Sequence, residues 1–162
     1  LYNTSERNSE IQLEMAMELS KKHGFEIISR GVTSTNEVPQ VLDSIIDKIQ
    51  VLYVPTDNLM ASSMAIISEK CIEKNVPIIG SEKGQVENGA LATEGIDYYK
   101  LGYQTGLIAF EVLNGANPSD MPIETLKDTT LTINADVAER LNITIPDDVM
   151  NRAEVIRAGA TK

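Results

Sequence analysis

A chain of 162 residues, 42% of them hydrophobic, can bury the core of one globular domain, or of one lobe of something larger. No apolar stretch approaches the ~18 residues that read as a membrane-spanning helix. A net charge of -10 supplies no basic stripe to neutralise nucleic-acid phosphates. The one cysteine, Cys71, excludes an internal disulfide and a multi-cysteine zinc site, and the one histidine, His23, argues against a histidine-dependent triad.

Leu1-Tyr2 runs straight into the polar Asn3-Thr4-Ser5. A first strand that short cannot hold a sheet, so the chain is expected to be cut inside its first strand. Ser9 to Lys22 carries Ile11, Met15 and Leu19 at i, i+4 and i+8, which predicts a helix with that stripe buried. Lys21, Lys22 and His23 suit its C-terminal dipole, and Gly24 is placed to close it. Phe25 to Ser29 reads as a strand. Asn36 can N-cap a second helix whose Val38, Val41, Leu42, Ile45 and Ile49 face the core.

Gln50 to Val54 reads as a central strand, apolar enough to be covered on both faces. Asn58 is placed to cap a helix over Met60–Cys71, with the thiol buried beside Met64 and Ile67. Val76 to Gly80 and Ala90 to Thr93 follow as strands, the first tolerating Pro77 at its beginning. A long helix is expected from Tyr98 to Leu113, closed by Asn114-Gly115. Thr129 to Ile133 reads as a further strand, followed by a short helix from Asp136 and a terminal helix opened by Pro146-Asp147-Asp148. Strand and helix alternate, so the expected fold is α/β with a doubly wound, parallel, flavodoxin-like sheet.

Segments that follow strands lie along the carboxyl edge of such a sheet, where ligands bind. Thr4 to Ser9, Thr33 to Asn36, Thr56-Asp57-Asn58, Ser81 to Gly84 and Gly95 to Tyr99 therefore share one rim. Any one of these residues has a sufficient explanation as an N-cap worth ~1 kcal/mol. Caps alone do not call for Glu6, Asp57, Glu82 and Asp97 on one edge. Carboxylates suit an ammonium group, whereas hydroxyls, amides and helix N-termini suit a carboxylate. The set describes a zwitterion such as an α-amino acid.

Two other readings of the rim lack parts. Asp57 after the third strand resembles the phosphoacceptor of a receiver domain, but the acidic pair after the first strand and the lysine after the fifth are missing. The Thr4–Ser9 loop could cradle the phosphate of FMN, but it has no glycine for close approach. The chain also has no tryptophan to stack on a flavin.

Tyr2-Asn3-Thr4-Ser5-Glu6-Arg7-Asn8-Ser9, Tyr53-Val54-Pro55-Thr56-Asp57-Asn58, Gly80-Ser81-Glu82, and Gly89 through Gly102 resemble the substrate-binding proteins of a bacterial ABC transporter family associated with tryptophan- or tyrosine-type uptake. The likeness runs from Leu1 to about Ile156. It implies one lobe of a type I periplasmic-binding-protein architecture, with residues 1–96 as the second lobe. Residues 97–116 then cross to a first lobe that is absent here, and 117–162 return. The implied activity is ligand capture by hinge closure, with no enzymatic step, cofactor or metal. Its expected partners are a small-molecule ligand, a permease and the first lobe, with swapped or dimeric packing of the fragment as a hazard.

The expected location is extracytoplasmic, as a lipid-anchored or periplasmic receptor. The resemblance and the rim chemistry together nominate Ser5, Glu6, Asn8 and Ser9 for one end of the zwitterion, with Thr56, Asp57 and Asn58 beside them. Asp97 is nominated for the ammonium, Ser81 and Glu82 are second choices, and Tyr98 and Tyr99 are the nearby aromatic rings. The rival readings are the sensor domain of a transcription regulator, which shares this fold, and a flavodoxin-like FMN domain.

Overall fold

The computed structural model describes residues 1–126 and 128–157. Lys127 and the last five residues of the expected return segment lie outside that description. Strands β1 (Tyr2–Asn3) and β2 (Gly31–Val32) pair in parallel. A five-stranded sheet follows in the order β3 (Leu52–Tyr53), β4 (Ile78–Ile79), β5 (Ala92–Gly95), β6 (Thr130–Asn134) and β7 (Glu154–Ile156). The Leu1 nitrogen donates to the Tyr53 carbonyl at 3.3 Å, which sets the two-stranded pair against β3. All pairings are parallel except β5 with β6. There the chain leaves along one strand and comes back along the other.

The helices are α1 (Arg7–His23), α2 (Val38–Asp43), α3 (Asn58–Glu73), α4 (Lys83–Glu87), α5 (Tyr98–Leu113), α6 (Ala135–Arg140) and α7 (Asp147–Met150). The main core joins Leu52, Val54 and Ile78 of the sheet region to Val38 and Leu42 of α2, and to Met60, Met64, Ile67 and Cys71 of α3. Burial pushes the Cys71 thiol up to about 12. A smaller cluster packs Leu91 against Val137, Ala138 and Leu141.

Gly24 closes α1 in the left-handed conformation (φ 73°), as its position in the sequence predicts. The span of α5 and its closure by Asn114 and Gly115 also match the expectation.

Several elements differ from their sequence readings. Phe25 to Ser29 forms no ladder, because Tyr2 pairs with Gly31 and the residues before Arg30 have no opposite strand among the described residues. The stripe of α1 is turned out: Ile11, Met15 and Leu19 are 43%, 58% and 49% exposed, and the buried positions are Ser9 and Ser20. Polar anchoring sets that rotation. Ser9 bonds Asp57, and Gln12 accepts from the Tyr53 hydroxyl and the Thr56 amide.

The cap of α3 is Asp57 and not Asn58, since the Asp57 carboxylate reaches the amides of Leu59 and Met60. A 3-10 turn, Thr35–Glu37, occupies the place where Asn36 was expected to cap α2, and its Glu37 carboxylate is held by Thr33. Val51 and Tyr53 remain exposed, so β3 is not covered on both faces. Helix α6 starts at Ala135, one residue before the expected Asp136, with Asn134 as its cap, and α7 is a single turn followed by the unforeseen β7.

Candidate functional site

The carboxyl ends of β1 and β3 stand side by side, and the loops leaving them are bonded together. Asn8 donates its amide to the Thr56 carbonyl at 2.6 Å. The Glu6 carboxylate accepts from the Asn58 backbone at 3.2 Å, the Asn58 side chain at 3.3 Å and the Asn3 side chain at 3.2 Å. Beneath them the Ser9 hydroxyl donates to Asp57 at 2.7 Å. The seven nominated residues of these two loops therefore form one constellation, with Ser5, Asn8 and Asn58 exposed and Ser9 and Asp57 buried. Glu6 and Thr56 are half-buried between those layers.

The β4 end adjoins this pair. Ser81 donates its hydroxyl to the Val54 carbonyl at 2.9 Å. Gln85 accepts from the Ser81 amide and donates to the Pro55 carbonyl, so it ties the loops after β3 and β4 together from the core side. Glu82 forms a bridge with Ile96, which brings the loop after β5 alongside. Gly95 makes that approach possible, because a Cβ there would run into the Ser81 carbonyl.

Asp97 caps α5 through Oδ1, which accepts from Tyr99 and Lys100. Its Oδ2 accepts no hydrogen bond among the described residues, and the residue stands at the junction of β5 and α5. Tyr98 reaches back to the Glu82 carboxylate, and partial burial followed by this contact pushes its phenol upward. Glu82, Asp97 and Tyr98 thus form a second acidic and aromatic group next to the first constellation.

Sequence reasoning missed three residues that hold the rim. Asn3 accepts from the Ser5 amide and donates to Glu6, an Asx-type loop closure that was legible in Asn3-Thr4-Ser5. Gln12 and Gln85 act from within helices, and their roles depend on which strands lie beside them. No residue pattern could have marked those two.

The arrangement is that of a doubly wound α/β lobe with polar loops at the carboxyl edge of its sheet, the class to which periplasmic substrate-binding lobes belong. The sequence profile described as ABC transporter substrate binding protein matches residues 1–156, and the chain belongs to that family. It is 48% identical over 143 residues to the tyrosine-binding protein of Clostridioides difficile, spanning 88% of this chain and 41% of that protein.

Among solved structures, a ligand-free, open substrate binding protein with adhesive properties from Clostridium difficile shares 46% identity at TM-score 0.78, covering 96% of this chain and 52% of that one. An ABC domain from Streptococcus pneumonia in complex with L-Trp shares 35% identity at TM-score 0.87, covering 96% and 53%. The chain thus spans about half the length of these relatives.

Proposed function

We propose that this chain is the second lobe of an extracytoplasmic receptor that binds an aromatic α-amino acid between two lobes and delivers it to an ABC permease. Residues 1–96 form the lobe proper, 97–116 cross to the first lobe and 117–162 return. The observation that carries the reading is the bonded constellation of the loops after β1 and β3, where hydroxyls, amides and a partly exposed carboxylate share one rim. Relatives whose names record tyrosine binding and an L-Trp complex support the choice of ligand class.

In this reading Ser5, Asn8, Thr56 and Asn58 meet one end of the zwitterion, with Ser9 and Asp57 beneath them. Glu6 and the unpartnered Oδ2 of Asp97 offer negative charge for the ammonium, with Ser81 and Glu82 as flanking contacts. Tyr98 and Tyr99 supply aromatic surface. The first lobe packs on α5, none of whose residues is buried here, and closure of the two lobes holds the ligand without a covalent step. Capture takes place outside the cytoplasm, by a receptor that is either lipid-anchored or periplasmic.

The test is a thermal-shift panel on the full-length protein with amino acids, peptides, sugars and FMN. A ligand at about 100 times its dissociation constant stabilises by ~2.7 kcal/mol. A shift confined to aromatic amino acids supports the proposal, and a response to sugars or FMN alone overturns it. Asp97→Asn should weaken amino-acid binding by about 1–3 kcal/mol, the scale of a lost charged hydrogen bond. Unchanged affinity removes Asp97 from the ammonium site.

A further inference from the structure

Asp57 sits where the two principal loops of the rim meet, and its carboxylate is fully subscribed. Oδ2 accepts from the Asn3 amide and the Ser9 hydroxyl, each at 2.7 Å. Oδ1 accepts from the Leu59 and Met60 amides, each at 3.0 Å. A carboxylate has about four lone-pair sites, so these donors leave none for a ligand. At 2% exposure the group is also out of a ligand's reach.

The two oxygens divide their labour. Oδ2 holds β1 and the first turn of α1, the loop that carries Ser5 and Asn8. Oδ1 holds the first turn of α3, next to Thr56 and Asn58. Glu6 spans the same gap, but at 3.2–3.4 Å and on the outer side. Asp57 is therefore the buried tie that sets the spacing between the exposed side chains of both loops.

We propose that Asp57 is a positioning residue for the binding site, fixing the loops after β1 and β3 in register without touching the ligand. This deepens the amino-acid reading and rests on it for the ligand. Asp57→Asn keeps the shape but turns one oxygen into a donor. With its remaining oxygen on α3, the new amide nitrogen faces the Asn3 N–H donor to donor, which frees the loop after β1.

The experiment measures dissociation constants of the full-length protein for L-tyrosine and L-tryptophan. It also measures those for their deaminated analogues, 3-(4-hydroxyphenyl)propionate and 3-(indol-3-yl)propionate. Loss of a charged hydrogen bond predicts that Asp57→Asn weakens amino acid and analogue alike by about tenfold, with their ratio held. A ratio that collapses towards one overturns the proposal, because Asp57 then senses the ammonium itself. A lower Tm with every constant unchanged overturns it too, leaving a role in stability alone.

Ser9→Ala, which removes one bond and leaves the charge, covers the case in which Asp57→Asn does not fold. It should cost about threefold for both ligand types, the scale of one neutral hydrogen bond, and unchanged affinity contradicts the proposal. Amide exchange in the ligand-free protein separates this inference from the amino-acid reading. A wild type that binds none of the four probes sinks that reading. Faster exchange confined to Asn3–Ser9 and Asn58–Ala61 in the variants still supports the tie, whereas unchanged exchange there overturns it.

Discussion

Helices α3 and α5 are the same element built twice, yet they end in opposite surroundings. Each has 16 residues, each is capped by an aspartate, and each cap reaches the second and third amides of its helix. In α3 six residues are buried, among them Met60, Met64, Ile67 and Cys71. In α5 none is buried, and Tyr99 and Leu113 are 83% and 85% exposed. The caps diverge in the same way: Asp57 is buried with two further donors, whereas Asp97 is half-exposed and, among the described residues, accepts hydrogen bonds from its own helix alone. Local chemistry makes a helix, and what lies beside it decides how much that helix contributes to stability.

The largest expected effect lies in α3. Ile67→Ala deletes fully buried apolar volume and should cost about 2–5 kcal/mol in urea unfolding. The matching change in α5, Phe110→Ala, should fall within about 0.5 kcal/mol in the 162-residue chain, because this ring is 66% exposed. A cost above 2 kcal/mol there would mean that α5 is covered in solution, by a second copy or a swapped arm. In the full-length protein the same substitution should become severe if α5 docks on a first lobe.

The caps come next. Asp57→Ala strands the donors of Asn3 and Ser9 as well as those of its helix, so it should cost about 2–3 kcal/mol, set against ~1 kcal/mol for Asp97→Ala. Equal losses would contradict the difference in partners. Smaller still are Thr93 and Thr132, opposed across β5 and β6, whose buried hydroxyls have no hydrogen-bond partner among the described residues. Thr132→Val should raise stability by about 1 kcal/mol by removing a polar atom that is buried without a bond. Destabilisation instead would reveal a bound water between them.

Cys71 gives the last comparison, an expected absence of reaction. Its side chain is buried on α3 and its thiol is shifted from 9.0 to about 12, so alkylation at pH 8 should proceed only through unfolding. The raised value has a definite sign for stability. Unfolding releases the proton once pH exceeds the unfolded value, so stability is lost as pH rises from about 9 towards 12. A thiol that reacts rapidly in the folded protein would show that α3 opens locally.

The divergence between α3 and α5 also marks how far sequence reasoning reaches. The extent of α5, the buried thiol and the convergence of the loops after β1 and β3 were legible, because caps, periodicity and strand-following loops are local features. The rotation of α1 was not. Ile11, Met15 and Leu19 have the spacing of a core stripe, but Ser9 and Gln12 find better partners on β3 and in its loop, so the polar side turns inward. Nor was β7 legible, since Glu154-Val155-Ile156 becomes a strand only because β6 presents Thr132, Ile133 and Asn134 beside it.

By itself the sequence determined the α/β class, the order of most elements and the family, through residues whose preferences act within a few positions. The tertiary structure alone decided which of the rim carboxylates is buried. Asp57, Glu82 and Asp97 precede helices and Glu6 opens α1, so in one dimension they are alike. Only the packing of α1 against β3 brings Asn3 and Ser9 onto Asp57, and four donors around one carboxylate turn a cap into the tie between two loops.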